Sequence, residues 1–194
     1  MVRSAHDKSA TYEDVLAAPE NMVAELIGGE LFLQPRPAKR HTFSASVLGS
    51  ELLTRFQTGR GGPGGWWILY KPEIHIGHDV LVPDLAGWRR ASTPTFDYDV
   101  AYYQERPDWV CEVLSPSTAR KDRVLKLDVY YRAEVEWAWI VDPHAETIEV
   151  FRWGQEGWIR KASADGREVV HLDPFAEADL DLDAIWPPEP SAAP

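Results

Sequence analysis

Cysteine is nearly absent. Cys111 is the only one in 194 residues, which excludes an internal disulfide. It stands in the apolar run Trp109-Val110-Cys111, where a free thiol behaves as a small buried hydrophobe. Long apolar runs are missing too: no stretch approaches the roughly 18 consecutive apolar residues that a membrane span needs. The first ten residues also lack the apolar stretch and cleavage signal of a secretory leader, so the expectation is a cytoplasmic protein with no membrane segment. Positive charge is scarce, with 20 Lys and Arg against 31 Asp and Glu and a net charge of −11. That balance counts against a surface built to hold a polyanion. Its distribution weakens the objection. Asp173, Glu177, Asp179, Asp181, Asp183 and Glu189 lie in the last 22 residues, which hold no Lys or Arg; removing those six charges leaves −5 on the first 172.

What is present is enough apolar surface for a core. With nine Trp and 44% hydrophobic residues, disorder is excluded for all but the two ends. The length predicts a single domain over 1–194, with 1–10 and 187–194 as flexible tails.

Along the chain, Thr11 to Asp14 has the spacing of a capped short helix, closed by Pro19. Gly28-Gly29 between two apolar runs predicts an N-terminal β-hairpin. His41 to Thr58 spaces Phe43, Val47, Leu48, Leu52 and Phe56 at helical intervals before a Gly-rich breaker. Two strands are expected over 66–76 and 79–87, then a long connection over 89–107 with one irregular helical turn. A strand over 109–114, a helix over 119–133 and a strand over 136–141 form a β-α-β unit. Val124, Leu127, Tyr130 and Tyr131 are expected on the buried side of that helix, with Ser117 or Thr118 as its N-cap. A C-terminal hairpin over 147–152 and 158–161 precedes an irregular acidic end. The order implies an α/β fold: a mixed sheet flanked by helices.

Two residues break the apolar pattern of the buried strands: Asp84 within Leu81-Val82-Pro83-Asp84-Leu85-Ala86, and Glu112 within Val110-Cys111-Glu112-Val113-Leu114. A buried carboxylate needs a cationic partner or a metal. On neighbouring strands the two would converge and supply hard oxygen ligands for Mg²⁺; the alternative is that each is exposed at a strand end or salt-bridged. Pro83 favours an edge or bulge, where a side chain is re-aimed. Arg120, Lys121 and Arg123 crowd the first turns of the next helix, where the dipole disfavours cations. A phosphate bound there would explain them, and so would a solvated basic face. Lys126, one turn after Asp122, is either positioned by that acid or is surface decoration. Trp66, Trp67, Trp137, Trp139, Trp153 and Trp158 could stack bases, fill the core or form a subunit interface.

Taken in order, several blocks resemble a known family. These are Glu25-Leu26-Ile27-Gly28-Gly29-Glu30-Leu31, His41, Pro83-Asp84 and Glu112-Val113-Leu114-Ser115-Pro116-Ser117-Thr118. Asp122 to Tyr130 and Trp137-Ala138-Trp139-Ile140-Val141-Asp142-Pro143 complete the series. Over roughly 11–153 they resemble the Uma-two family of restriction-endonuclease-type proteins. The resemblance implies a PD-(D/E)xK nuclease fold, in which Asp84 and Glu112 bind Mg²⁺, with Mn²⁺ as a substitute. The superfamily's usual lysine position is Leu114 here, and the resemblance implies that Lys126 from the following helix takes its place. Glu25 and His41 match the pattern and join the candidate catalytic residues; His41 is open to a supporting role, a general-base role or a purely structural one. Gly28 stands where family members commonly carry Asp. The implied activity is Mg²⁺-dependent DNA hydrolysis by a homodimer, since two-fold symmetry suits the cutting of two strands. A non-catalytic nucleic-acid-binding or regulatory module on the same fold is the rival, and a hydrolase of small phosphorylated molecules is a third possibility.

Overall fold

The computed structural model describes residues 9–188 except Arg36 and Ser117. The candidate cap Ser117 and most of both expected tails, 1–8 and 189–194, therefore lie outside the described residues. The elements in order are α1 (Tyr12–Leu16), β1 (Val23–Ile27), β2 (Glu30–Gln34) and α2 (Lys39–Leu52), which continues into a π-helical turn, Leu53–Gln57. Four strands follow: β3 (Trp66–Tyr70), β4 (Ile74–Ile76), β5 (Asp79–Leu81) and β6 (Leu85–Arg89). Next come β7 (Trp109–Val113), a π-helical segment Lys121–Lys126 running into α3 (Leu127–Arg132), and β8 (Trp137–Asp142). The chain ends with β9 (Thr147–Arg152), β10 (Ile159–Asp165), β11 (Val169–Val170), β12 (Leu180–Asp181) and α4 (Leu182–Ile185).

The main sheet has six strands in the order β10-β9-β8-β7-β6-β3. Only the β7–β8 pair is parallel, as its helical crossover requires; the other neighbours are antiparallel. A second, four-stranded sheet runs β2-β1-β5-β4. Both expected hairpins are present. Gly28 and Gly29 at the β1–β2 turn have φ of 60° and 80°, the positive values that such a turn demands.

The strand pleat sorts side chains onto two cores. Trp109, Cys111 and Val113 of β7, with Trp137, Trp139 and Val141 of β8, face Ala45, Leu48, Leu52 and Phe56 on one side. Val110 and Ala138 face the other way, toward Val129, Tyr130 and the small sheet. Glu112, one residue after Cys111, falls on this second side. Trp66, Trp137 and Trp139 are buried, which gives the first reading of the aromatics, as base-stacking platforms, no support at those positions.

Four expectations need correction. The strands over 66–76 and 79–87 each break in two, and the halves belong to different sheets. Lys71 at φ 48° and Pro72 interrupt the first, and Pro83, which has no N–H for the ladder, interrupts the second. The connection after β6 forms no helical turn; one bridge, Ile74 with Tyr103, anchors it. The C-terminal end is not irregular, because β11, β12 and α4 bring Leu180, Leu182, Ile185 and Trp186 into the first core. Finally, Val124 is 55% exposed, while Asp122 and Lys126 are buried on the inner face in its stead. The π-helical winding of 121–126 and the polar character of the buried positions together hide that face from a search for apolar periodicity.

Candidate active site

Asp84 stands just ahead of β6, and Leu85 pairs with Cys111, so the next positions in the antiparallel register are Asp84 and Glu112. Pro83, which has no N–H to pair, ends β5 before Asp84, whose carboxylate Oδ2 accepts from the Val113 N–H at 2.9 Å. The same oxygen meets His41 Nε2 at 3.0 Å, and Oδ1 has the Lys71 ammonium at 3.4 Å. Burial would push this carboxyl up, but the hydrogen bond and charge of His41, then Lys71 and Lys126, outweigh it and hold the group below the ordinary range.

Glu112 is packed toward the helix that follows it. Its Oε2 accepts from Lys126 Nζ at 2.8 Å and its Oε1 from the Tyr130 hydroxyl at 2.6 Å. Asp122, Lys126 and Tyr130 recur every fourth residue, which places a carboxylate, an ammonium and a phenol along one buried face. Burial pushes the Glu112 carboxyl up to about 8; Lys126 pulls it down, while Asp122, Asp84 and Glu25 push it up again. Burial likewise raises Asp122, against the pull of Lys126. Lys126 itself loses to burial but gains more from Glu112, Glu25 and Asp122, so its ammonium form is strongly favoured.

Glu25, in the middle of β1, is fully buried. Its Oε1 accepts from the Val82 N–H at 2.8 Å and lies 2.9 Å from Lys126 Nζ, while Oε2 takes Gln34 Nε2 at 2.6 Å and the Lys121 ammonium. Burial would raise its carboxyl, yet the charges of Lys126 and Lys121 hold it below the usual value. Glu25 thus ties the small sheet to the helix from behind Lys126.

Asp84, Glu112, His41 and Lys126 line one cavity of about 340 Å³, together with Lys71 and Asp122. Glu25 is not among its lining residues. A larger cavity of about 910 Å³ lies elsewhere, between Tyr12, His75, Gly77, Asp79 and Arg132, and contains neither strand acid. The smaller cavity is the better candidate because it gathers buried charges that need a cation or a substrate to balance them.

Sequence reasoning singled out Asp84, Glu112, Lys126 and His41, which the fold brings together, and Glu25, which lies behind Lys126; it read Lys121 as part of a phosphate-binding or solvated basic cluster and missed Lys71 and the hydroxyl of Tyr130. Lys71 carried one signal, a lysine beside a proline between two apolar strands. Tyr130 was hidden by being counted as apolar. The basic cluster at the start of the helix is mostly engaged: Lys121 pairs with Glu25 and Arg123 with Glu149, which removes two of the three cations from the expected helix-terminal phosphate site.

Among the described residues no group of three or more His, Cys, Asp and Glu is arranged to hold a metal. A closed all-protein site is therefore not what these side chains form. Two carboxylates on one polar cavity fit the other mode, in which a hard cation keeps waters and takes the rest of its shell from a phosphate. The donor chemistry fits Mg²⁺ or Mn²⁺.

A mixed sheet flanked by helices, with paired acids at adjoining strand ends, defines a protein of the restriction-endonuclease fold class. Over residues 10–184 the sequence matches the Uma2 family, described as "putative restriction endonuclease", and the chain belongs to that family. A solved structure from Anabaena variabilis ATCC 29413, described as "a putative nuclease belonging to DUF820", superposes with a TM-score of 0.72 at 21% identity. The match covers 91% of this chain and 97% of that one, and shows that the fold is shared. No protein with a curated description matches the sequence.

Proposed function

We propose that this protein is a Mg²⁺-dependent endonuclease that hydrolyses DNA phosphodiester bonds, with Mn²⁺ as a competent substitute. The observation that carries this is the convergence of Asp84 and Glu112, from adjoining strands, on one cavity that also holds His41, Lys71 and Lys126. Family membership supports the nuclease class. Asp84 and Glu112 would hold the ion. When bound, it polarises a phosphoryl oxygen and lowers the pKa of water.

The chain's own residues do the positioning. His41 and the Val113 N–H orient Asp84 and keep it ionised, so His41 supports a ligand instead of serving as the base. Lys126 and Tyr130 fix both oxygens of Glu112, and Glu25 fixes Lys126. In the reaction the oxygen of water bonds to phosphorus, the bond from phosphorus to one sugar oxygen breaks, and a proton from water ends on that departing oxygen.

Incubating the purified protein with supercoiled plasmid and Mg²⁺ or Mn²⁺ should give nicked and linear forms, abolished by a chelator and by Asp84→Ala or Glu112→Ala. Cleavage that persists in both variants removes the proposed site; faster cleavage of an RNA hairpin than of DNA reassigns the substrate. A homodimer is also proposed, because two-fold symmetry presents one site to each strand, and light scattering tests it. The non-catalytic reading is favoured by one observation, that Leu114 occupies the lysine position of the superfamily while Lys126 is buried. Salt-dependent DNA binding with no metal-dependent cleavage would establish it.

A further inference from the structure

Among the described residues, His41, Lys71 and Lys126 are the basic side chains that line the cavity. An ammonium has three hydrogens to donate. Lys126 directs its own at Glu112 (2.8 Å), Glu25 (2.9 Å) and the Val82 carbonyl (3.2 Å), and its side chain is 2% exposed. Swinging it toward a substrate would leave two buried carboxylates without their counterion, which costs more than one phosphate contact returns. His41 is committed through Nε2 to Asp84.

Lys71 differs on each count. Its ammonium has one ion-pair partner among the described residues, Asp84 Oδ1, at 3.4 Å, longer than a strong charge-assisted hydrogen bond. Its side chain is 26% exposed on the cavity wall, so hydrogens remain for a ligand. The backbone fixes its place. Lys71 sits at φ 48°, with its N–H donating to the Asp84 carbonyl at 3.0 Å. A residue with a β-carbon rarely adopts that conformation, and glycine would adopt it freely. Glu134 and Glu146 share a left-handed φ away from the cavity, so the conformation of Lys71 fixes where its side chain is held, and its exposure and donor occupancy are what favour contact.

We propose that Lys71, and not Lys126, is the cation that contacts the phosphodiester: its ammonium donates to a non-bridging oxygen and stabilises the charge that develops as water adds. Lys126 is then a positioning residue that holds Glu112 and Glu25. The assignment rests on the nuclease reading of the cavity, but part of its test does not depend on turnover.

The metal-free full chain is treated by reductive methylation with and without a short DNA duplex, and modified lysines are located by mass spectrometry. Lys71 should be modified in the free protein and protected by the duplex, with Lys126 unmodified in both. In plasmid nicking with Mn²⁺, Lys71→Ala should slow single-turnover cleavage by about 100-fold, as loss of one transition-state donor does, with Lys71→Arg retaining part of the rate. Equal labelling of Lys71 with and without DNA, or parental cleavage by Lys71→Ala, overturns the proposal. Protection of Lys71 in a protein that cleaves nothing would uphold the phosphate contact and remove the hydrolytic reading instead.

Discussion

Replacing Lys126 with Met tests whether one ammonium holds the buried acidic cluster together. Met keeps most of the stem and removes the charge. Glu112 loses a 2.8 Å partner and Glu25 a 2.9 Å partner, and the Val82 carbonyl loses its 3.2 Å donor. Both acids are almost wholly buried, so water cannot replace what is lost. Removing one member of a buried ion pair costs about 3–5 kcal/mol, because an uncompensated charge remains. That is a large share of the roughly 5–15 kcal/mol that stabilises a typical domain. At about 2–4 °C per kcal/mol for a chain of this size, the thermal midpoint should fall by about 6–20 °C. Lys121 still pairs with Glu25, so Glu112 is the more exposed to the loss. Adding Glu112→Gln to Lys126→Met should therefore recover part of the deficit, a coupling that a double-mutant cycle measures. Urea unfolding at pH 9, above the value of about 8 to which burial raises Glu112 and so with its carboxylate ionised, followed by circular dichroism, supplies the four free energies. A Lys126→Met deficit below about 1 kcal/mol, within the range of exposed salt bridges, would refute the account of Lys126 as the cluster's counterion.

Three further outcomes follow from the same geometry. Glu112 has its folded-state pKa raised to about 8, so between the ordinary carboxylate range and pH 8 the folded state binds more protons than the unfolded one. The contribution of this group to stability should thus fall as pH rises through that window, and Mg²⁺ affinity should rise over it because only the carboxylate ligates; calorimetric titrations at pH 6.5 and 8.5 that gave equal affinities would contradict this. Tyr130→Phe deletes the hydroxyl donating to Glu112 at 2.6 Å and should cost about 1–3 kcal/mol, read by urea unfolding, where no change would mean the bond is idle. Lys71→Gly relieves a left-handed backbone, worth about 1–2 kcal/mol, and removes an ion-pair partner of buried Asp84, so the two effects should leave stability within about 1 kcal/mol of the parent while cleavage slows about 100-fold, as for Lys71→Ala; a drop of several kcal/mol would show that Lys71 is chiefly structural.

Local chemistry made much of the fold legible. Gly28-Gly29 specified a hairpin because only positive φ closes that turn. Near-continuous apolar runs along 81–86, 109–114 and 136–141 specified buried strands, and the acids that interrupt them, Asp84 and Glu112, were conspicuous because carboxylates are costly there. The splitting of the strands at Lys71 and Pro83 was less visible. Each half looks apolar by itself, and assigning the halves to separate sheets depends on partners distant in sequence.

Periodicity, turn residues and a misplaced charge are properties of neighbours along the chain, and these the sequence alone decided: the two hairpins, the α/β class and the two strand acids. Which cation faces which acid is set by non-local packing. Glu25 reaches Lys126 across 101 positions, and Lys71 reaches Asp84 only because the chain turns back between two sheets. Tertiary structure alone decided that Lys126 is saturated and buried while Lys71 stands at the cavity wall, because burial and donor occupancy exist only once the sheets have closed on the helix.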